Sequence, residues 1–434
     1  MQPTRRILVI GYVWPEPRST AAGGHMMQIL QAFLDQGFRI TFSSPAAPGD
    51  HKADLGALGI DECAIELNDS SFDRFVENLA PDVVLFDRFM MEEQFGWRVE
   101  QACPSALRVL ETSDFQSLRE ARHRLLKAQL KAEPLSQDFS ELFSLNDSAL
   151  YAHLASADLT LREVAAIYRC DLSLMISDRE IELLHRGFGV PREILHWCPL
   201  MLEQPAEALP GFEERAHFLS IGNFRHAPNW DAVLWMKTQL WPLIRAQLPH
   251  AQLHVYGAYT PPKATALHNP REGFLINDWA EDALVVMRQA RVALAPLRFG
   301  AGIKGKLADA MLCGTPSVTT PIGAEGMQGA LPWPGAIACD AAGLAAAAVA
   351  LYSDPTRWLA AQRDAQALLA GRYAYEQHAR ALMERLDNLA HDLPTARLRN
   401  FTGSMLRHHL HKSTRYMSQW IEAKNRLKQR LDPV

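Results

Sequence analysis

The sequence predicts an α/β protein of two domains, each built on a parallel, doubly wound β-sheet, that face each other across a cleft. Short, continuously apolar segments alternate with helical segments along the chain, which is typical of parallel strands joined by helices. The alternation stops at a proline-rich stretch and then starts again. With 434 residues, of which 48% are hydrophobic, the chain can bury two cores of ordinary domain size.

The first domain is predicted over residues 1–205. Its apolar segments predict strands at Arg6–Tyr12, Arg39–Ser44, Asp82–Asp87, Arg108–Thr112, Leu172–Ile176 and Ile194–Cys198. Helical spacing marks the segments between them, as in Gly24–Gln36 and Phe72–Leu79. The segment from about 125 to 158 has no strand pattern and is predicted to be a helical excursion.

The second domain is predicted over residues 206–390, after a linker that is marked by Pro199, Pro205 and Pro210. Its strands are predicted at His217–Gly222, Gln252–Tyr256, Phe274–Ile276, Val292–Pro296 and Ser317–Thr319. Ligands of open parallel sheets bind beyond the carboxyl ends of the strands. We therefore expect the turns that follow the first and fourth of these strands to face the cleft.

Composition narrows the class of protein. The formal net charge of -5 argues against a nucleic-acid-binding protein. The six cysteines contain no C-x-x-C pair, so neither a zinc site nor a disulfide framework is indicated. The N-terminal apolar run is too short for a signal peptide, and no run reaches the roughly 18 residues of a membrane span. These features predict a cytoplasmic enzyme.

The most informative segment has the sequence LRFGAGIKGKLADA, the pattern of a strand end, a glycine-rich turn and a helix start. Gly300 and Gly302 leave room for a phosphate to approach main-chain N–H groups at the helix N-terminus, where the helix dipole favours an anion. Lys304 and Lys306 add positive charge, and Asp309 is placed to accept hydrogen bonds from sugar hydroxyls. The pattern indicates a nucleoside diphosphate pocket, but it also fits a surface helix with a Lys306–Asp309 pair.

Four segments in this order resemble the nucleotide-sugar glycosyltransferases of family 4, which are retaining enzymes with the type-B (GT-B) fold of two Rossmann-like domains. The four segments are Val109–Arg122, Arg162–Leu184, Phe218–Gly257 and Leu297–Met327. The resemblance implies that the first domain binds the acceptor and that the second domain binds the nucleotide sugar.

The resemblance also implies roles for single residues of the second domain. The candidate catalytic residues, which would stabilise the departing diphosphate, are Arg225, Lys306 and Lys304. The other donor-binding candidates are Gly222, Asn223, Gly300, Gly302, Asp309 and Glu325. For Glu325 a loop salt bridge is the alternative. Because no Asp-x-Asp motif flanks this site, the positive side chains are expected to replace a metal ion.

On the acceptor and phosphate side, the candidates are Gly23, Gly24, His25 and Asp114. The glycine pair is predicted to precede a helix, as the family's pair near the phosphates does. The sequence departs from the family pattern at three places. Gln116 stands where the family often has histidine, Ala301 replaces the first donor-site glutamate, and the shorter Asp309 replaces the second.

The function implied is transfer of a sugar from a nucleoside diphosphate sugar to an acceptor hydroxyl, with retention at the anomeric carbon and without cofactor or metal. The setting implied is bacterial-type glycan or glycoconjugate biosynthesis, with a glycan, a lipid-linked molecule or a protein as acceptor. Two alternatives stay open. One is a nucleotide-sugar epimerase or a sugar phosphorylase of the same fold, and the other is a catalytically silent scaffold that binds the sugar nucleotide.

Residues 391–434 are predicted to form a basic, helical tail. Between Arg397 and Leu431 there are nine Lys or Arg residues against one acid, Glu422. Apolar residues recur at helical spacing in the same stretch, which indicates basic amphipathic helices. Such helices suit peripheral contact with an anionic membrane at its inner face. The alternative is a helix that packs on the first domain and keeps its charges in water.

Overall fold

The computed structural model describes residues 5–134, 136–205 and 208–431, with the side chains of residues 411, 412 and 429–431 excepted. Within these ranges, the first domain contains a seven-stranded sheet in the order β3-β2-β1-β4-β5-β6-β7, and every pairing is parallel. Its strands are β1 Arg6–Ile10, β2 Arg39–Ser44, β3 Asp61–Ala64, β4 Val83–Asp87, β5 Leu107–Glu111, β6 Leu172–Met175 and β7 Leu195–Trp197. Its helices are α1 Ala21–Asp35, α2 Ser71–Leu79, α3 Phe89–Ala102, α4 Gln116–Ala132, α5 Ser140–Phe143, α6 Asp147–Leu154, α7 Asp158–Arg169 and α8 Asp178–Phe188.

The second domain contains a parallel sheet of six described strands in the order β10-β9-β8-β11-β12-β13. Its strands are β8 Ala216–Ile221, β9 Leu253–Tyr256, β10 Phe274–Ile276, β11 Ala290–Ala295, β12 Ser317–Thr319 and β13 Gly335–Ile337. Its helices are α9 Ala227–Trp235, α10 Trp241–Gln247, α11 Pro262–Thr265, α12 Ala283–Gln289, α13 Gly305–Leu312, α14 Pro321–Ala324, α15 Ala341–Ser353 and α16 Pro355–Arg372. A π-helical segment, Met236–Leu240, joins α9 to α10, and short 3-10 turns lie at Gly56–Leu58, Arg192–Ile194 and Pro270–Glu272.

Two parallel-sheet domains with flanking helices are what the sequence predicts, and the predicted fold class is confirmed. The sequence analysis missed two strands, β3 and β13. Both lie at a sheet edge and pair on one side, and both are short and largely exposed or half buried. They therefore lack the continuous apolar run by which a buried parallel strand is recognised.

The predicted helical excursion bridges the two domains. It contains the end of α4 and the short helices α5 and α6. Phe139 is fully buried and packs edge-on against Trp235 of the second domain, with the ring centroids 5.3 Å apart. Leu126 and Leu142 belong to the same apolar cluster as the second domain's Phe218. The excursion therefore helps to fix how the domains sit against each other.

The last three helices return to the first domain. They are α17 Tyr375–His391, α18 Leu393–Arg399 and α19 Phe401–Leu431. Leu382 and Leu386 of α17 join Ile29 and Phe33 of α1 in one buried cluster, so the return begins before the predicted boundary at residue 390. No helix in the described part of the chain has both the length and the apolar composition that a membrane span requires.

Candidate functional site

Two helices from different domains begin at the same point of the cleft. Helix α1 starts at Ala21 and α13 starts at Gly305, and a Cβ placed on Gly305 would lie 2.6 Å from the Cβ of Ala21. The first residues of each helix carry N–H groups without intrahelical partners, and both helix dipoles place positive potential at the same point. The contact between the domains thus brings free N–H donors and positive potential together at one point, an arrangement that suits an anion.

The glycine-rich turn before α13 is held by the first domain. Gly302 has a φ of +62°, and a Cβ there would lie 2.9 Å from the Cβ of Asp114. Its N–H donates to the buried carboxylate of Glu180 at 2.6 Å, and the same carboxylate accepts the N–H of Phe115 at 3.2 Å. Glu180 therefore occupies the N–H of Gly302, so in this arrangement that N–H is not among the free donors near the start of α13.

Gly300 is less crowded than Gly302. The nearest atom to a Cβ on Gly300 is a carbon of the Lys304 side chain, at 3.4 Å, which is an ordinary contact. Its carbonyl accepts a hydrogen bond from Arg122 Nη1 at 2.9 Å. The Gly300 backbone therefore contributes to the domain contact.

The two lysines have different surroundings. Lys304 is 8% exposed and donates from Nζ to the carbonyls of Ala301 and Gly302, at 3.2 and 2.6 Å, so it closes its own turn. Lys306 is half buried and donates from Nζ to Asn229 Oδ1 at 2.8 Å. Burial lowers the pKa of each lysine to about 8. Lys306 is therefore the lysine that points toward the loop after β8.

That loop supplies a connected set of polar groups. A Cβ on Gly222 would lie 2.6 Å from Lys306 Nζ, so only glycine allows the lysine to approach. Asn223 Oδ1 accepts the N–H of Arg225 at 2.8 Å, and the Asn223 carbonyl accepts from Asn229 Nδ2 at 3.0 Å. Asn229 thus joins the loop to Lys306. The sequence analysis did not single out Asn229, although it lies only seven residues after the donor-binding candidate Gly222.

Arg225 is exposed at the edge of the cleft. Its guanidinium carbon lies 3.6 Å from the centroid of the Tyr259 ring, and the Tyr259 hydroxyl donates to Glu16 Oε2 at 3.0 Å. Because Glu16 belongs to the loop before α1, this chain of contacts connects Arg225 to the first domain. The side chain is held by stacking and retains its hydrogen-bond donors for a ligand.

Asp309 lies on α13, one turn beyond Lys306. Burial raises the pKa of its carboxyl to about 7, and the nearby Lys306 ammonium opposes that rise. Within the described residues no hydrogen bond to the Asp309 carboxylate is observed, so the group is available as an acceptor.

Glu325 follows α14 and is fully engaged between the domains. Arg122, on α4, donates to both carboxylate oxygens of Glu325 at 2.7 Å. Arg122 is buried, and the resulting fork holds the first domain against the second. The salt-bridge alternative thus describes Glu325 here. Arg122 was missed because only the folded chain brings residues so distant in sequence together.

On the acceptor side, Asp114 is paired within the first domain. Arg119 donates to its two oxygens at 2.7 and 3.3 Å. Burial raises the pKa of Asp114, but the charges of Arg119 and its neighbours outweigh burial and hold that pKa below the ordinary value. Asp114 is therefore ionised near neutrality.

His25 lies beneath the cleft surface rather than on it. The imidazole is 1% exposed, with Nδ1 3.4 Å from Glu111 Oε1 and Nε2 3.9 Å from Cys198 Sγ. Burial opposes the charged imidazole, but Cys198 and Glu111 raise the pKa of His25 to about 10. The structure thus gives the His25 side chain partners inside the domain and does not bring it to an acceptor.

Gly23 and Gly24 lie inside α1, and the prediction that they precede the helix is wrong. The helix begins at Ala21, with Thr20 as its N-cap accepting the N–H of Gly23 at 3.0 Å. A Cβ on Gly23 would lie 2.6 Å from the backbone of Glu16. Because the Thr20 cap was not recognised, the start of the helix was predicted too late in the sequence. Glycine is required at position 23 because the preceding loop packs against the helix there.

Arg88 is a further residue that the sequence analysis missed. It follows β4 and has a φ of 71° and a ψ of 157°, a conformation that a non-glycine residue adopts at a cost of about 1–3 kcal/mol. Its guanidinium lies 5.0 Å from the centroid of the Tyr12 ring, and Nε lies 3.6 Å from Asp87 Oδ1. The ends of β1 and β4 therefore place a cation beside an aromatic ring in the first domain. Among the described residues, no group of His, Cys, Asp or Glu is arranged to hold a metal ion.

The Arg122–Glu325 fork leads to a prediction on stability. Arg122→Ala leaves the partly buried Glu325 without its partner, and we expect it to lower the free energy of unfolding by about 3 kcal/mol. Denaturant unfolding of the two-domain chain measures this. The control Arg357→Ala removes an exposed pair with Asp354 and is expected to cost about 0.5 kcal/mol or less. Equal losses in the two variants would contradict the role of the fork.

Comparison with known proteins places these features in a family context. Residues 215–354, which run from β8 to the end of α15, match the family model described as glycosyl transferases group 1. The match covers less than half of the chain. No curated protein sequence matches the chain.

Solved structures resemble the two-domain architecture as a whole. Sucrose-phosphate synthase from Thermosynechococcus elongatus matches with a TM-score of 0.61 and 14% identity, over 89% of this chain and 99% of that chain. HepE from Anabaena, in complex with UDP and glucose, matches with a TM-score of 0.63 and 13% identity. The match covers 88% of this chain and 99% of HepE. A UDP-forming α,α-trehalose-phosphate synthase from Burkholderia xenovorans matches with a TM-score of 0.57 and 12% identity. The match covers 89% of this chain and 99% of that chain.

At such identities the structural likeness concerns the fold, and it agrees with the GT-B arrangement predicted from the sequence. The match of the second domain to glycosyl transferases group 1 confirms the predicted enzyme class, a glycosyltransferase.

Proposed function

We propose that the protein is a family 4, retaining glycosyltransferase that moves a sugar from a nucleoside diphosphate sugar to an acceptor hydroxyl without a divalent metal. The observation that carries the proposal is the meeting of the N-termini of α1 and α13 beside Lys306. A diphosphate at this point would receive hydrogen bonds from both domains and charge from the lysine.

The chemistry follows from where negative charge develops. As the bond to the anomeric carbon breaks, charge grows on the departing diphosphate, and Lys306, Arg225 and the free helix N–H groups stabilise it. Lys304 adds to the field from its buried position. These fixed positive groups take the place of a metal ion, and Asp309 accepts hydrogen bonds from the nucleotide's sugar.

The acceptor proton is taken up by the leaving phosphate on the same face of the sugar, which is the family's accepted route to retention. Two features of this chain suit that route. Gln116 cannot accept a proton, and Asp114 is tied to Arg119 with a lowered pKa. No side chain of the first domain then has to act as a general base.

A thermal-shift screen of the purified chain tests the proposal. UDP is the first ligand to try, because HepE was solved with UDP and the Burkholderia enzyme is named as UDP-forming. GDP, ADP, CMP and their sugar conjugates follow, each with and without EDTA. A ligand at about 100 times its dissociation constant stabilises the folded state by about 2.7 kcal/mol. Stabilisation that EDTA does not reduce, followed by transfer to an acceptor, is expected; absence of any shift would contradict the proposal.

The second candidate is a scaffold that binds the sugar nucleotide without turning it over. It is favoured by the departures at Ala301, Gln116 and Asp309. Binding without hydrolysis or transfer would identify it. An epimerase would release free sugar without an acceptor, and a phosphorylase would require orthophosphate, so product analysis separates both from a transferase.

The lowered pKa of Lys306 predicts how donor binding depends on pH. Above its pKa of about 8 the free lysine loses its proton, and an anion must then bind together with proton uptake. We expect the affinity for UDP to fall between pH 8 and 9 by up to about tenfold per pH unit. Lys306→Arg keeps its charge and should flatten the dependence. Isothermal titration of both proteins at pH 7, 8 and 9 measures this, and identical slopes would contradict it.

A further inference from the structure

The C-terminal helix α19 docks on the first domain through a largely polar face. It packs against α3 and α7. Arg407 is buried and donates to the carbonyl of Arg169 at 3.0 Å, and the buried Ser418 accepts from Arg98 at 3.0 Å. One turn further on, Glu422 accepts from the Ser70 hydroxyl at 2.7 Å. Gly403 lies on the same face, where a Cβ would meet the carbonyl of Tyr168.

The opposite face of α19 is exposed and carries large apolar side chains among polar residues such as His409 and Ser413. It carries an outer stripe of five large side chains that are between 45% and 74% exposed: Phe401, Met405, Tyr416, Trp420 and Leu427. Their spacing places them along one side of the helix, away from the docked face. A helix that packs only for stability turns its apolar side inward, so an outward apolar stripe marks a surface for a partner.

Positive charge borders the outer stripe. Arg415, Lys424 and Lys428 are exposed, and Lys424 Nζ lies 5.3 Å from the centroid of the Trp420 ring. The sequence from 397 to 431 contains a single acid, Glu422, and that residue is bound on the docked face. Two further basic residues of the predicted tail, Lys412 and Arg430, lie outside the described side chains.

We propose that α19 lies flat on an anionic lipid surface, with the outer stripe inserted among the headgroups and the bordering cations on the lipid phosphates. Trp, Tyr and basic side chains around an apolar stripe are the composition of interfacial helices. A second copy of the chain fits this face less well, because it would bring the same basic residues close to one another. The inference does not depend on the proposed function.

The position of α19 gives the membrane contact a consequence for that function. Because α19 belongs to the first domain, a flat helix would hold the acceptor-side domain at the membrane. If the proposed transfer reaction is correct, this arrangement suits a lipid-linked acceptor among the classes of acceptor considered above.

Vesicle flotation of the full chain tests the proposal. The protein is expected to float with vesicles of phosphatidylcholine and phosphatidylglycerol, and much less with phosphatidylcholine alone, and added salt should weaken the binding. The double variant Tyr416→Ser/Trp420→Ser should lose about tenfold or more in partitioning. Arg415→Glu/Lys424→Glu should lose a similar factor.

Matched controls lie elsewhere on the surface. Leu243→Ser/Leu359→Ser removes apolar side chains that are 39% and 40% exposed on the second domain, and Arg363→Glu reverses an exposed charge there. These controls should float like the unmodified protein. The proposal would be overturned if the unmodified chain does not bind anionic vesicles, or if an outer-stripe variant floats with them as well as the unmodified chain does. A dimer that dissociates in the outer-stripe variant without vesicle binding would overturn it as well. A nucleotide-induced thermal shift in the same variants shows separately whether the donor site is intact.

Discussion

Lys306→Ala is expected to lower kcat/KM for sugar transfer by about 100-fold or more, because its ammonium group faces the point where the departing diphosphate gains charge. Nζ already lies 2.8 Å from Asn229 Oδ1, beside the backbone of Gly222, so its position is fixed before a ligand binds. Removing it deletes stabilisation that grows in the transition state, and kcat should fall more than KM rises. Steady-state kinetics with the nucleotide sugar found in the binding screen measures both.

Lys237→Ala is the matched control. Lys237 also forms an ion pair within the second domain, with Glu272, but it lies on the π-helical segment after α9, away from the cleft. We expect its activity to stay within about twofold of the unmodified enzyme. If Lys306→Ala keeps the unmodified rate while remaining folded, the assignment of the donor site is wrong.

Gly305→Ala is expected to reduce transfer by about 100-fold, since misplacing reacting groups by about 1 Å costs that factor. The new Cβ would lie 2.6 Å from the Cβ of Ala21, and both atoms belong to the first residues of helices. Neither backbone can give way without moving its helix, so the two N-termini must separate. The measurements are kcat/KM and the affinity for the nucleotide, which should fall together.

The compensating change tests the geometry directly. Ala21→Gly removes the Cβ that Gly305→Ala would meet, and the next nearest atom, the Cα of Ala21, is 3.5 Å away, an ordinary contact. The double variant Ala21→Gly/Gly305→Ala should recover most of the activity, and Ala21→Gly alone should change it little. A double variant as impaired as Gly305→Ala would show that contact between the helix starts is not what the site requires.

Much of the fold could be predicted from the sequence because buried parallel strands have a local signature. The runs RILVI and ARVALA are apolar apart from one arginine each, and they form the inner strands β1 and β11. Strands β3 and β13 have no such run, because their side chains are largely exposed or half buried. The start of α1 was misplaced for a related reason. Thr20 is the N-cap because its hydroxyl accepts the N–H of Gly23, and from the sequence the adjacent Ser19 is an equally suitable cap residue.

Local sequence patterns are enough to identify the charged residues and the glycine turn of the candidate site. Lys304, Lys306 and Asp309 follow a glycine turn at the end of a strand, and the register of that helix needs no tertiary information. The same is true of the basic tail, where charge and helical spacing are both local. The strand, the turn and the helices could be predicted because such patterns extend over only a few residues.

Which of these groups remain available to a ligand depends on contacts that form only in the folded protein. Glu180 takes the N–H of Gly302, and Arg122 takes both oxygens of Glu325, through contacts between residues more than a hundred positions apart. The orientation of α19 also follows from tertiary contacts. Its polar side packs against α3 and α7, so its apolar stripe faces outward. These contacts depend on which surfaces pack together in the folded protein, and local sequence patterns do not predict that packing.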